Sequence, residues 1–254
     1  MDLAIAARRW LDADVLDGMK RGLLLGTALL VLLVPPLRPP RPAPHAPALA
    51  RHAPSPPALL QPAAPTRRLE MNGERASQPV LRVARWVVES GDNGSRFFAI
   101  LDKKNARVFV FEPGGRLRGQ TPVLLGFAAG DDSVEGIGDR PIAEVKPQER
   151  TTPAGRFVAE PGRNANNEEV IWVDYDAAVS MHRVRLNNPK ERRAERLASP
   201  TAADNRISYG CINMPPAFFE KVLWPNFRER GGIVYVLPEV KPLTRVFPAL
   251  AKAA

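Results

Sequence analysis

Proline is concentrated in one segment of this chain, and that concentration limits how much of the chain can enter a folded core. The sequence has 254 residues and 27 prolines, and 12 of the prolines lie within residues 35–65. Proline fixes φ and donates no backbone hydrogen bond, so sequence rich in Pro and Ala favours extended polyproline II. We therefore predict a linker over residues 35–66, with a docking segment for a polyproline-reading partner as the alternative.

An apolar run over residues 22–34 precedes this linker, directly after Lys20 and Arg21. A membrane-spanning helix usually needs about 20 apolar residues, whereas the core of a secretory signal has roughly 7 to 15. Length favours a cleaved signal, but the acidic residues before the run and the lack of a cleavage site directly after it favour an uncleaved anchor. We predict a membrane anchor with residues 1–21 in the cytoplasm, and a cleaved signal is the alternative.

From residue 67 onward the pattern is mostly β with a few short helices. Residues 77–91 place apolar side chains at helical spacing between Ser77, which can cap, and Gly91, so we predict a lead-in helix within residues 67–95. Residues 97–102 and 107–112 predict a hairpin. Further predicted strands are 123–127, 156–159, 170–173, 179–184 and 233–237, and further predicted helices are 189–197 and 215–222. We predict one domain over residues 96–240 and a C-terminal tail over residues 241–254.

Composition excludes several classes of function. One Cys and three His exclude a disulfide framework and a cysteine-rich zinc site. The net charge of +9 raises the possibility of nucleic-acid binding, but aromatic residues make up only 7% and no run of five like charges occurs. We predict no metal, no cofactor and no nucleic-acid partner, and the sequence indicates no oligomeric state.

The folded region contains one thiol, Cys211, and one imidazole, His182. A thiol reacts as the thiolate and needs a base or a cation beside it, and His182 is the one imidazole of this region that can supply a base. Gly210 allows a tight turn before Cys211. From these residues alone two interpretations stay open: a catalytic pair, or a buried small Cys and a structural His.

Three separated motifs resemble one family. Residues 208–213 read Ser-Tyr-Gly-Cys-Ile-Asn and resemble the [ST]-H-G-C-hydrophobic-N signature of the L,D-transpeptidase (YkuD-like) catalytic domain. That signature follows a separate upstream His, matched by His182 at 29 residues before Cys211. Residues 152–157, Thr-Pro-Ala-Gly-Arg-Phe, resemble the T-P-x-G-x-F segment of the same family. The resemblance covers residues 97–238.

The resemblance implies a mostly β sandwich or barrel that acts on peptidoglycan stem peptides. Cys211 would be the nucleophile and His182 the general base. Backbone N–H groups of Tyr209, Gly210 and Cys211 would form the oxyanion hole, Asn213 would hold the cysteine loop and Ser208 would lie beside it.

An amine acceptor would give a 3→3 cross-link, and water would give a carboxypeptidase or cross-link hydrolase. A non-catalytic peptidoglycan-binding relative is the alternative from another class. The apolar run and this resemblance together predict an anchor in the inner membrane with the catalytic domain in the periplasm, and secretion to the periplasm after signal cleavage is the alternative.

Two residues depart from the family pattern. Tyr209 stands where the motif has a second His, a residue that shapes the loop and the oxyanion hole in the family. Arg183 follows the upstream His, where the family has a small residue whose carbonyl orients the imidazole, so the third member of the triad is open. We expect activity to be retained or altered, and an inactive relative is the alternative.

The stretch between base and nucleophile is longer than in the family and rich in arginine. Arg206, nearest to the cysteine loop, is the first candidate for binding a substrate carboxylate, and Arg156 and Thr152 are further substrate-binding candidates. For Arg192 and Arg193 a solvated helix face is favoured over a lid that meets substrate. The adjacent carboxylates Asp131/Asp132 and Glu168/Glu169 are predicted on surface loops.

Overall fold

The structure, a computed structural model, describes residues 67–251, which belong to one compact unit. The predicted apolar run and the linker lie outside the described residues. No helix within residues 67–251 has the length and apolar character needed to cross a membrane.

An eight-stranded sheet forms the body of the fold, and the mostly β prediction is confirmed. Its order is β3-β2-β1-β10-β5-β6-β7-β9, and β4 pairs separately with β8. The pairs β1–β10 and β7–β9 are parallel, and the other neighbours in the sheet are antiparallel. The strands are β1 Phe98–Asp102, β2 Arg107–Phe111, β3 Leu117–Pro122, β4 Leu125–Gly126, β5 Gly155–Arg163, β6 Glu169–Asp174, β7 Val179–Arg183, β8 Arg206–Ser208, β9 Ile212–Met214 and β10 Gly232–Val236.

Side-chain alternation along the strands divides the apolar residues into two core clusters. One face of β1, β2 and β10 packs with inward residues of β6, β7 and β9, so both ends of the sheet share one core, as the predicted sandwich or barrel requires. The other face supplies Phe98, Ile100, Phe109 and Tyr235 to a second cluster under the lead-in helix. The predicted hairpin is confirmed, with Phe98 opposite Phe111 and Asp102 opposite Arg107.

The lead-in helix α1, Gln78–Ser90, is confirmed together with both of its caps. The Ser77 side chain accepts from the Val80 N–H, and Gly91 ends the helix at φ 71°, a left-handed conformation that suits glycine. Val80, Val83, Ala84 and Val87 are completely buried against the second cluster.

The remaining helices are short, and each is shaped by an identifiable local feature. The predicted helix 189–197 is divided at Arg192, which has φ 51°, into a 3₁₀ turn Pro189–Glu191 and α2, Arg193–Ala198. The predicted helix 215–222 runs further, as α3 Pro216–Phe218, a π turn Phe219–Leu223 and α4 Trp224–Phe227. Pro225 lies in α4 and has no N–H, which suits the irregular turn before it.

The segment predicted as a C-terminal tail is folded as far as the structure describes it. It contains α5, Leu243–Val246, and a 3₁₀ turn Pro248–Ala251. Phe247 and Leu250 are buried in the second core cluster, and Arg82 of α1 donates to the Leu250 carbonyl at 3.1 Å. This segment therefore helps to cover α1.

A buried ion-pair network connects the β1–β2 hairpin to distant parts of the chain. Lys103 is completely buried, and its Nζ lies 2.8 Å from Asp131 Oδ1 and 3.4 Å from Glu239 Oε1. The prediction of a surface loop is thus wrong for Asp131. Burial favours the neutral carboxyl, but the bond from Lys103 and three backbone N–H donors of residues 239–241 outweigh it and lower the pKa of Asp131 to about 2.

Candidate active site

A cleft of about 370 Å³ opens over the edge of the sheet where β7 and β9 run side by side. The cysteine motif contributes Ser208, Tyr209, Cys211 and Asn213 to its lining, and β7 contributes His182. The parallel register places His182 opposite Asn213, so residues from two separated motifs meet at one place. The fold thus brings together the two residues predicted to carry the chemistry.

The imidazole of His182 is oriented by the next residue along the chain. Its Nδ1 lies 2.8 Å from the carbonyl oxygen of Arg183, which can only accept, so Nδ1 carries the proton. Nε2 is then an unprotonated acceptor in the neutral ring. The carbonyl of Arg183 therefore orients the imidazole, and this contact needs only the backbone of residue 183.

The thiol of Cys211 lies between influences that oppose and influences that favour its ionised form. Burial is the largest influence and opposes ionisation, but the hydrogen bond and charge of His182 and the bonds from Ser180 outweigh it, so the pKa of Cys211 is lowered. Sγ lies 3.7 Å from Ser180 Oγ and 3.5 Å from the carbonyl oxygen of Ala178. Ala178 has φ 52°, a conformation uncommon for a residue with a side chain, and it directs its carbonyl into the site.

Hydrogen bonds within and behind the cysteine motif fix its turn. Ser208 Oγ donates to the Cys211 carbonyl at 2.6 Å and accepts from the Gly210 N–H at 3.1 Å. Gly210 has φ 131°, and a Cβ there would lie 2.8 Å from the carbonyl oxygen of Thr151, so the position requires glycine. Thr152 Oγ1 donates to the Gly210 carbonyl at 2.8 Å and accepts from the Gly126 N–H at 3.0 Å.

The backbone N–H groups of the motif differ in their availability. The Gly210 N–H is already engaged by Ser208 Oγ. Within the described part of the chain, the N–H groups of Tyr209 and Cys211 donate to no protein acceptor. Of the three donors predicted for an oxyanion hole, these two remain for a ligand oxygen.

Tyr209, the residue that departs from the family motif, is held by a cation. The Arg150 guanidinium lies 3.9 Å from the centroid of its ring, and the same guanidinium donates through Nη2 to the Val145 carbonyl at 2.9 Å. The Tyr209 ring is 41% exposed at the cleft. This residue therefore contacts the segment between β4 and β5 at one side of the entrance.

Asn213 connects the base, the nucleophile's loop and an arginine of α2. Its Nδ2 donates to the Cys211 carbonyl at 3.2 Å and lies 3.3 Å from His182 Nε2. Its Oδ1 accepts from Arg193 Nη1 at 2.5 Å. The predicted role of Asn213 in holding the cysteine loop agrees with the first of these contacts.

The structure places none of the three predicted substrate-binding side chains in the lining of the cleft. Arg206 pairs with Glu239 and donates to the Lys103 carbonyl at 3.0 Å, so it belongs to the buried ion-pair network. Arg156 pairs with Asp92 at 2.6 Å near Tyr235. Thr152 is completely buried behind the motif. The carboxylates that pair with Arg206 and Arg156 are distant from them in sequence.

Sequence reasoning missed Ser180 and Arg185 as residues of the cleft, and for Arg193, which also lines it, a solvated helix face was favoured over a lid. The period of a strand was a usable signal for Ser180, because residues 180 and 182 project to the same face of β7. Arg185 pairs with Glu168, and no local pattern indicates that it borders the site. Across residues 67–251, no group of three or more His, Cys, Asp or Glu side chains is arranged to hold a metal ion.

No family model matches the sequence, and no curated protein matches it. Similar solved structures include the catalytic domain of an L,D-transpeptidase from E. faecium, with 18% identity and a TM-score of 0.31 over 57% of this chain and 98% of that one. An L,D-transpeptidase (Yku) from Stackebrandtia nassauensis has 17% identity and a TM-score of 0.33, over 65% of this chain and 68% of that one.

A fused zinc-dependent amidase, peptidase and peptidoglycan-binding protein from Clostridium acetobutylicum is also similar, with 15% identity and a TM-score of 0.34 over 64% of each chain. Two of the three structures carry the name of the family that the motifs resemble.

Proposed function

We propose that this protein is a cysteine acyltransferase of the L,D-transpeptidase type that acts on peptidoglycan stem peptides. The observation that carries the proposal is that Cys211, the one thiol of the chain, shares a cleft with a His182 whose Nδ1 is fixed by a carbonyl. The lowered pKa of the Cys211 thiol and the two available N–H groups beside it support the same chemistry.

In the first half-reaction His182 Nε2 takes the thiol proton as Sγ attacks a carbonyl carbon of the stem. The carbonyl belongs to the L-centre of the diamino acid at position three. Its oxygen becomes negative in the tetrahedral intermediate and accepts from the N–H groups of Tyr209 and Cys211. The peptide bond to the terminal D-Ala then breaks, the amine takes the proton from His182, and a thioester remains on Cys211.

In the second half-reaction an amine attacks the thioester carbonyl and gives its proton to His182. The new amide joins two stems as a 3→3 cross-link, and the proton returns to Sγ as the thioester bond breaks. Water in place of the amine would release a tripeptide instead. Whether the thioester is transferred to an amine or to water therefore depends on which of the two the cleft admits beside His182.

Arg185 is a better candidate than Arg206 for binding a carboxylate of the stem, because Arg206 already pairs with Glu239. Its side chain borders the cleft, together with Asn164 and Asn166, and is partly exposed beside Glu168. Guanidinium groups bind carboxylates through paired donors, and a partly exposed one needs little rearrangement to do so.

The test is to incubate the full-length chain with purified tetrapeptide muropeptides. We expect release of D-Ala, an acyl adduct on Cys211 detected by mass spectrometry, and either cross-linked dimers or tripeptides. Cys211→Ser should form no thioester, and His52→Ala, which changes an imidazole of the linker, should behave as the unmodified chain. No adduct and an unchanged muropeptide profile would remove both enzymatic proposals.

A non-catalytic peptidoglycan-binding protein is the second candidate, and Tyr209 in place of the motif His is the observation that favours it. This candidate requires binding to sacculi without covalent labelling of Cys211 by a carbapenem. Labelling that is lost in His182→Ala would contradict it.

We also propose that residues 22–34 anchor the protein in the inner membrane and that the linker carries the folded region into the periplasm. The apolar run and the proline-rich sequence after it support this arrangement. Fractionation and N-terminal sequencing test it: an intact N-terminus in the membrane fraction is expected, and a shortened chain in the periplasmic fraction would indicate signal cleavage.

A further inference from the structure

Arg193 lies in the long connection between β7 and β8 and is linked to His182 and the Cys211 loop through one residue, Asn213. Its side chain is only 15% exposed, and its Nε pairs with Glu191 while its Nη1 donates to Asn213 Oδ1. Asn213 is itself 1% exposed. The contact is therefore between two shielded side chains and differs from the solvated helix face expected for this residue.

The helix that carries Arg193 is fixed to the body of the domain. Leu197, one turn further along α2, lies on the same helix face and is buried with Leu124 and Val184. Leu124 is paired by two backbone hydrogen bonds of 2.8 and 2.9 Å with Asn213. The backbone of α2 and the backbone of Asn213 are thus held by the same small cluster, which sets the distance that Arg193 must span.

Arg193 determines which way the Asn213 amide faces. A guanidinium can only donate, so the group of Asn213 that meets Arg193 must be the carbonyl oxygen Oδ1. The NH₂ group is then directed at the Cys211 carbonyl and at His182 Nε2. Because the NH₂ group can only donate as well, this contact fits a neutral His182 with no proton on Nε2. Nε2 has a single lone pair, so the amide contact is given up when Nε2 takes the thiol proton.

We propose that Arg193 is a positioning residue that acts through Asn213 to hold His182 Nε2 and the Cys211 loop in their reactive arrangement. The inference deepens the proposed function and rests on it for the roles of Cys211 and His182. It assigns a purpose to the long connection, whose helix supplies a fixed donor at the back of the site. The competing role for Arg193 is direct binding of an anionic substrate group, since its side chain also borders the cleft.

Alkylation of Cys211 tests the proposal without any peptidoglycan substrate. The chain has no other Cys, so iodoacetamide and iodoacetate both report on this thiol alone. We expect Arg193→Met to slow both reagents by the same factor, between about threefold and tenfold, the worth of one hydrogen bond to a positioned group. Arg192→Met removes the same charge from an exposed neighbour that pairs with Glu195, and it should leave both rates unchanged.

Two further measurements separate positioning from a general loss of structure. In a chain labelled with ¹⁵N-asparagine, the Asn213 side-chain NH₂ signals, identified by their loss in Asn213→Asp, should exchange slowly with water. They should exchange faster in Arg193→Met. Arg193→Lys keeps one donor and should restore part of the alkylation rate and of the protection.

Two results would overturn the proposal. One is an unchanged rate with both reagents in Arg193→Met, together with unchanged Asn213 signals. The other is a loss confined to the anionic iodoacetate, which would assign Arg193 to anion binding. Absence of muropeptide turnover in the unmodified chain would count against the proposed function. The alkylation rates would still test the role of Arg193, because they need no peptidoglycan substrate.

Discussion

The reactivity of Cys211 depends on a balance between burial, which disfavours the thiolate, and His182 with Ser180, which favour it. A thiol with a lowered pKa ionises at lower pH than free cysteine, whose pKa is about 8.5. We expect the rate of iodoacetamide alkylation of the full-length chain to reach half of its maximum below that pH. In His182→Ala the midpoint of this pH–rate curve should move to higher pH. Burial raises the pKa of the thiol, and the imidazole that lowers it is then absent.

The same substitution should lower the rate of acylation by a stem peptide by about 10²- to 10⁴-fold, the usual contribution of a general base. His52→Ala is the matched control, since it removes an imidazole of the linker. A midpoint that stays in place in His182→Ala would show that this residue does not act on the thiol.

Tyr209 should be replaceable by the residue that the family motif has at this position. Tyr209→His keeps a planar ring that can lie over the Arg150 guanidinium, so carbapenem labelling of Cys211 should be retained. Tyr209→Ala removes the stacking, which is worth about 0.5–1 kcal/mol at an exposed site, and should slow labelling roughly two- to fivefold.

A double-variant cycle with Arg150→Met tests the assigned partner of Tyr209. Each single variant should slow labelling, and the combined variant should be no slower than the worse single one, because both remove one contact. Additive losses would mean that the two residues act independently.

At the scale of elements, the site depends on how β4 and the segment just before β5 support the cysteine turn from behind. Thr152→Val keeps the side-chain shape but leaves the Gly126 N–H and the Gly210 carbonyl without their partner. We expect a loss of about 1–3 kcal/mol in the free energy of unfolding, measured with urea, and slower alkylation of Cys211. Thr151→Val, which removes an exposed bond to Asp132, should change stability by less than about 0.5 kcal/mol.

The elements that the sequence predicted are those with strong local signals. The capped helix α1 and the β1–β2 hairpin follow from Ser77, Gly91 and the period of the apolar residues. Strand β3 was missed because its sequence, Leu-Arg-Gly-Gln-Thr-Pro, is largely polar and its pairing with β2 contains a bulge. Strands β8 and β9 have only three residues each, too few for a period to be visible.

The residues of the candidate site could be predicted where they belong to the sequence motif. They were harder to predict where a residue's partner is distant from it in sequence. Cys211 and His182 were identified as the one thiol and the one imidazole of the folded region, and Asn213 was identified from the motif that resembles the family signature. The partners of Arg206 and Arg156 were not, because Glu239 and Asp92 are distant in sequence and become neighbours only in the folded sheet. Arg193 was read as a surface residue for the same reason.

At the scale of the whole molecule, Lys103, Asp131, Glu239 and Arg206 connect the hairpin, the loop after β4, the C-terminal segment and β8. Lys103 Nζ also donates to the carbonyl of Thr152, which holds Gly210, so the network lies behind the cysteine turn. A buried charge left without its partner costs several kcal/mol. The position of the cysteine turn therefore depends on charged residues that are distant from it in sequence.

Asp131→Asn should make the stability of the protein less dependent on acid. The folded-state pKa of Asp131 is about 2, below its unfolded value, so its stabilisation is present above about pH 4 and is lost as pH falls toward 2. We expect Asp131→Asn to lower the free energy of unfolding by about 3 kcal/mol at pH 7, since Lys103 loses its closest counter-charge.

The difference in the free energy of unfolding between Asp131→Asn and the unmodified protein should then shrink by about 2 kcal/mol between pH 4 and pH 2. Over this range Asp131 takes up a proton in the unfolded chain, while the folded chain keeps it ionised down to about pH 2. Urea unfolding at a series of pH values measures it. Asp132→Asn is the matched control: its carboxylate is exposed and pairs with Lys241 at the surface, so its effect should stay below about 1 kcal/mol. An Asp131→Asn deficit that is constant from pH 7 to pH 2 would mean that the carboxylate contributes packing and not charge, and the buried network would then be electrostatically neutral in its effect on the fold.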